Sequence, residues 1–173
     1  MSAQLIKKYD EIEAIKDRFL LKVANVSDEQ FNKIPAEGKW SLGQTFYHMY
    51  FAEVGTIKVI QKNLRENKVL KKTAYSDVFR NILLVITLRL PIKFKAPAVV
   101  SKVVDTITFD EVRTLFENNT NDFKLLLNDL PAELENKQIF KHPIAGMFNI
   151  NQVLNFVREH YLHHEMQLNA LLK

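Results

Sequence analysis

Hydrophobic positions recur at helical spacing along most of this chain. In residues 4–24, Leu5, Ile12, Ile15, Phe19 and Val23 fall on one stripe with Lys, Asp and Glu between them, the pattern of a helix that buries one face. Ser27-Asp28-Glu29-Gln30 starts a short second turn with Ser27 as its N-cap, and Pro35 to Lys39 reads as a loop. Ser41-Leu42-Gly43-Gln44 is a capping box opening a helix to about Asn67. Leu42, Phe46, Met49, Val54, Ile57 and Ile60 point inward from it, and Trp40 packs down as half of a hydrophobic staple. Tyr75 to Leu90 predicts a further helix, apolar on most sides in its second half, and Pro91 and Pro97 enforce an extended loop through Ile92 to Ala96. A second capping box, Thr108-Phe109-Asp110-Glu111, opens a helix over about 109–129 that turns Val112, Leu115, Phe116, Phe123, Leu126 and Leu127 inward. Leu130-Pro131 ends it, a loop follows through Lys141 to Gly146, and Asn149-Ile150-Asn151-Gln152 opens the last helix in the same capping manner. No alternating pattern competes as a strand.

The expected fold is therefore all-α: an antiparallel four-helix bundle of helices at about 4–24, 41–67, 109–129 and 150–172. An additional helix and loop (68–107) are inserted between bundle helices 2 and 3 and cover one end or side. At 173 residues the chain is expected to be one domain, 1–173. Only 4 Gly and 5 Pro fit long helices with few tight hairpins, and the absence of Cys excludes disulfides, thiolate metal sites and a cysteine nucleophile. No signal-peptide core and no run of 18 apolar residues is present, so no membrane span is expected and a cytoplasmic location fits.

The candidate chemistry lies in the last helix. Of the chain's five histidines, three fall within Glu159–Leu168. At 100° per residue, Val153, Val157, His160, His164, Leu168 and Leu171 share one stripe, which places His160 and His164 one turn apart on the inward face. Two imidazoles so spaced can hold one metal ion, given a third ligand. Outside this helix only His48 and His142 are available; His48 lies beside a core stripe, His142 in a loop. The reading is a site of His48, His160 and His164 completed by solvent, suited to zinc or nickel. His163 is the neighbouring alternative to His164, being also within reach of His160. It lies at the flank of the stripe with Phe156 and Gln167, which makes it an exposed side chain first and a group supporting the site second. Gln167 is placed either to orient an imidazole or to face solvent. Glu53, five residues past His48, is not aimed at the same point. The plain alternative is that these imidazoles are satisfied by hydrogen bonds alone.

Two segments resemble a known family. Lys39-Trp40-Ser41-Leu42-Gly43-Gln44-Thr45-Phe46-Tyr47-His48 is similar to the second-helix motif of the DinB/YfiT-like metalloenzymes. His142-Pro143-Ile144-Ala145-Gly146 through His160-Tyr161-Leu162-His163-His164-Glu165-Met166-Gln167-Leu168 is similar to their last-helix motif. Their order and separation also match, and the resemblance spans nearly the whole chain. It implies a four-helix bundle with a divalent metal on three histidines, carried by position onto His48, His160 and His164. Family members with assigned roles include metal-dependent hydrolases and transferases of low-molecular-weight thiols. The 68–107 segment carries no motif of the family.

Net charge is +4, and residues 61–104 hold ten Lys and Arg against two acidic residues. Such a face is usually a solvated one; it would also attract an anionic small molecule or thiol to a pocket mouth. No helix-turn-helix, zinc finger or RNA-binding signature accompanies it, so no nucleic-acid partner is expected. The expected function is a metal-dependent enzyme acting on a small molecule, as a hydrolase through metal-activated water or as a thiol transferase. The competing reading is a non-enzymatic module that binds a small anion or a partner through the basic 61–104 face. A homodimer is a further expectation, with the apolar Ile82–Leu90 segment as its contact.

Overall fold

The computed structural model describes residues 2–66, 70–90 and 104–173. Their elements in chain order are α1 (Ala3–Val23), α2 (Asp28–Asn32), α3 (Leu42–Arg65), α4 (Tyr75–Arg89), α5 (Phe109–Asn128), a short 3-10 turn (Ala132–Leu134), β1 (Phe140–His142), β2 (Gly146–Phe148) and α6 (Ile150–Leu171). The bundle is built of α1, α3, α5 and α6. Its core is most of the set the periodicity predicts: Leu5, Ile12, Phe19, Phe46, Met49, Ile60, Phe116, Phe123 and Val153 are each at most 1% exposed, while Val54 and Leu115 are half-buried. The three predicted capping boxes form. Ser41, Thr108 and Asn149 accept from the backbone N–H of Gln44, Glu111 and Gln152, and those three side chains reach back to the cap N–H.

Cross-helix contacts set the directions. Lys8 meets Asn151, Glu11 meets Arg158, and Arg18 and Lys22 meet Glu165. The numbers rise together, so α1 and α6 run parallel. Between α3 and α6 they run opposite ways, Thr45 to Gln167 and Glu53 to Tyr161. Phe116 packs on Phe46, and Ile107, just before α5, packs at Gly43, so α3 and α5 run the same way. The bundle is thus up, down, down, up, antiparallel across α3–α6 and α1–α5. A crossover between two parallel helices must travel the length of the bundle, and α4 makes part of that journey alongside α6. The start of α3 is fixed tightly. Asn32 pairs with both backbone groups of Ile107, at 2.9 and 3.0 Å. A Cβ at Gly43 would stand 2.9 Å from an Ile107 methyl, so only glycine permits this approach.

Two expectations are corrected. A two-stranded antiparallel hairpin, with Phe140 opposite Phe148 and His142 opposite Gly146, replaces the predicted loop. Three-residue strands are too short to show an alternating period, and Gly146, at φ +87°, supplies the turn's left-handed residue. α3 ends at Arg65, short of Asn67, which lies outside the described residues, as does the predicted extended loop of Ile92 to Ala96. His142 belongs to the hairpin. Its ring packs on Phe148 and Phe156, with centroids 5.3 and 4.6 Å away, and its Nδ1 accepts the N–H groups of Ile144 and Ala145. Burial lowers its pKa to about 4. Phe156 stands between it and His160, so His142 is a turn-forming group.

The bundle interior also contains an ion pair. Lys16 and Glu53 are each 2% exposed. The Lys16 ammonium donates to Glu13 and Thr120 at 2.9 and 2.8 Å and lies 3.6 Å from the Glu53 carboxylate. Tyr161, fully buried, donates its hydroxyl to Glu53 at 2.5 Å. Burial raises the pKa of Glu53, while Lys16 and the Tyr161 hydrogen bond oppose that rise. A carboxyl whose folded pKa is raised contributes stability below its unfolded pKa and loses it as pH climbs through the folded value. Removing Lys16 raises that value further. Lys16→Met is therefore expected to cost about 3–5 kcal/mol at alkaline pH and less near pH 5, as read by urea unfolding at the two pH values. Adding Glu53→Gln, which keeps an acceptor for Tyr161, recovers most of the loss; a loss independent of pH would mean that Lys16 acts by packing alone.

Candidate metal centre

His48 sits in the second turn of α3, and His160 and His164 sit one turn apart on α6. The antiparallel α3–α6 contact brings their three rings face to edge, with centroids 4.7 to 5.2 Å apart. The Nε2 of His160 lies 3.3 Å from that of His48 and 3.2 Å from that of His164, and one nitrogen from each ring falls within 4.8 Å of the others. Two nitrogens bound to a tetrahedral ion at about 2.0–2.1 Å stand roughly 3.3 Å apart. The His160 nitrogen is thus already at ligand spacing from both of the others. Among the described residues this is the one His, Cys, Asp and Glu group so arranged.

A directional hydrogen-bond chain fixes the protonation of His164. The Thr45 hydroxyl gives its one proton to the Ser41 carbonyl at 2.8 Å. It must then accept from the Gln167 amide nitrogen, 3.1 Å away. That turns the Gln167 amide oxygen towards His164 Nδ1 at 3.0 Å, so Nδ1 carries the hydrogen and the Nε2 lone pair points to the cluster. An outer partner on the far ring nitrogen is how metal-binding imidazoles are usually held. Burial, then the neighbouring imidazoles, hold His160 well below the ordinary histidine pKa, and burial lowers His164 to about 3. Both rings therefore stay neutral at physiological pH, the state a metal requires.

The surroundings are apolar on two sides. Trp40 lies against His48, with ring centroids 4.7 Å apart, and Phe156 lies 5.7 Å from His160. Trp40 thus covers the candidate ligand itself, where a staple would have set it on Thr45. His48 and His164 are buried, while His160 is half-buried as a residue. His163 is half-buried, where exposure was expected: its Nδ1–H donates to the Leu88 carbonyl at 2.8 Å. It ties the end of α4 to α6 and does not join the three converging nitrogens. Next to it Glu159, 1% exposed, is clamped by Arg89 through two 2.7 Å bonds and by Arg158. These hydrogen bonds, Arg89's first, hold its carboxyl below the usual range.

The chain's one tryptophan therefore reports on this site. Titration of zinc or nickel into the purified protein is expected to change Trp40 emission and to saturate at one ion per chain. Gln167→Leu is expected to weaken that titration by about 10–100-fold at unchanged helix content. An unaltered affinity would mean that the Gln167 chain does not orient His164.

The comparisons with known proteins bear on the fold and the family. A solved structure from Bacillus subtilis, YfiT, described as a probable metal-dependent hydrolase with an unusual four-helix bundle topology, superimposes with a TM-score of 0.61 at 15% identity. The match covers 99% of this chain and 87% of that one, and at this identity it speaks for the fold. No curated protein matches the sequence significantly. The sequence model of the DinB superfamily, however, matches residues 11–168, from the first bundle helix to beyond the last histidine, and this protein belongs to that superfamily.

Proposed function

We propose that this protein is a metal-dependent hydrolase of a small molecule, with a zinc or nickel ion held by His48, His160 and His164. The observation that carries the reading is the convergence of three imidazole nitrogens, with that of His160 at ligand spacing from the other two. The description of YfiT as a probable metal-dependent hydrolase supports it by analogy of fold. When bound, such an ion would supply Lewis acidity and lower the pKa of a water or thiol placed on it. The chain's own residues do the rest. Ser41, Thr45 and Gln167 hold His164 in register. Trp40 and Phe156 keep water off two sides.

A second reading, transfer of a low-molecular-weight thiol, draws on one observation. The carboxylates nearest the ligands in sequence, Glu53, Glu159 and Glu165, are committed to Lys16 with Tyr161, to two arginines, and to Arg18 with Lys22. Thiol chemistry on a metal needs no separate protein base. The basic 61–104 face supports a binding module less well. Arg89, one of its ten basic side chains, is already held by Glu159.

His48→Ala, His160→Ala and His164→Ala are each expected to lose the stoichiometric metal and to reduce turnover of small ester, amide or thiol-acceptor substrates to background. His163→Ala keeps both. Metal content is read by elemental analysis and turnover by a substrate panel with and without added thiol. Activity that survives in all three ligand variants overturns the reading.

A further inference from the structure

α4 lies on the bundle with its polarity inverted. Against α6 and the hairpin it buries Asp77, Asn81 and Leu88, the first two at 4% exposure. Asp77 accepts from the Ala74 N–H and from Gln138, and Asn81 reaches the Gln152 carbonyl. The opposite side carries Tyr75, Phe79, Ile82, Leu83 and Ile86, with Leu90 at the C-cap, all between 43% and 97% exposed. At 100° per residue these six fall within an arc of about 100°, and none is Lys, Arg, Asp or Glu. Aromatic side chains alone present roughly 150–250 Å² each. With Val78 at its flank, the stripe exposes on the order of 800 Å². That exceeds the largest apolar patch of an ordinary monomer and equals one side of a standard specific interface.

We propose that this face is the two-fold interface of a homodimer, its occupant being α4 of a second copy. The register is self-complementary. Laid antiparallel about the midpoint between Ile82 and Leu83, every stripe residue meets another: Tyr75 the partner's Leu90, Phe79 the partner's Ile86, Ile82 the partner's Leu83. An isologous contact demands such a match of one surface with itself, and no like charges face each other across it. A lone helix face shaped for some other partner would have no reason to read the same in both directions. Leu88 and Arg89, which hold His163 and Glu159, lie away from the centre of the stripe, so the interface can be altered without touching the histidine cluster.

Sedimentation equilibrium of the full chain tests this. Twice the chain mass is expected for the natural sequence, and Ile82→Glu, placing two carboxylates near the axis, is expected to weaken the dimer at least about 100-fold with unchanged circular dichroism. The chain has no cysteine, so orientation can be read by cross-linking. Under mild oxidation a mixture of Tyr75→Cys and Leu90→Cys chains is expected to form disulfide-linked pairs, while Tyr75→Cys alone does not. A natural chain that is monomeric at about 100 µM, one that instead sediments as a monomer with anionic phospholipid vesicles, a dimer indifferent to Ile82→Glu, or self-linking of Tyr75→Cys would each overturn the proposal.

Discussion

Where α3 and α6 run antiparallel, Gln167 reaches across to the Thr45 hydroxyl, and one to two turns along His48 meets His160 and His164. The candidate chemistry depends on this one contact. It sets the spacing of three nitrogens and decides which nitrogen of His164 carries the hydrogen. The contact is in turn held from both ends. The Ser41–Gln44 capping box and the glycine-tight approach of Ile107 fix the start of α3, and the buried Glu53–Tyr161 bond pins the same two helices deeper in the bundle. A histidine cluster on loops would need the ion to organise it; here the backbone has done so beforehand.

Much of this was legible before any coordinates. The stripes of α1, α3, α5 and α6 name the core because a 3.6-residue period persists over four or more turns, and Ser, Thr and Asn followed three residues on by Gln or Glu mark where three of the helices begin. The pairing of His160 with His164 follows from the same period. The hairpin at Phe140–Phe148 was not legible, since three residues cannot display a period of two. The role of Trp40 was hidden for another reason: its place before a cap reads as half of a hydrophobic staple, and only the fold shows its ring against His48. Lys16 and Glu53 had a signal that was passed over. Lys16 follows Ile12 and Ile15 and precedes Phe19, and Glu53 stands between Met49 and Ile57, so each occupies a core position of its stripe. An ionisable residue at such a position needs a partner from another helix, and here each supplies the other.

α4 shows how an insert can be polar towards its own protein. Its inner side is secured by hydrogen bonds and one ion pair, Asp77 to Gln138, Asn81 to Gln152 and Arg89 to Glu159, beside the packing of Leu84 and Leu88. Directional bonds fix its register on α6 more sharply than apolar burial would, because a slip of one residue breaks all of them. The same register sets the Leu88 carbonyl over His163, one residue from a candidate ligand. α4 is therefore an addition to the bundle that also buttresses the histidine helix.

The parallel course of α1 and α6 bears on how the molecule is made. Their salt bridges and hydrogen bonds join residues 143 to 147 positions apart, and His48 meets His160 across 112. Contacts of such separation form late, after the loop-closure entropy between them has been overcome. During synthesis α1, α3 and α5 emerge with their apolar faces complete and their closing helix still untranslated. Until α6 is made, those faces lack the helix that covers them, and uncovered apolar surface of this kind favours aggregation. The histidine cluster comes into being only in the step that covers them.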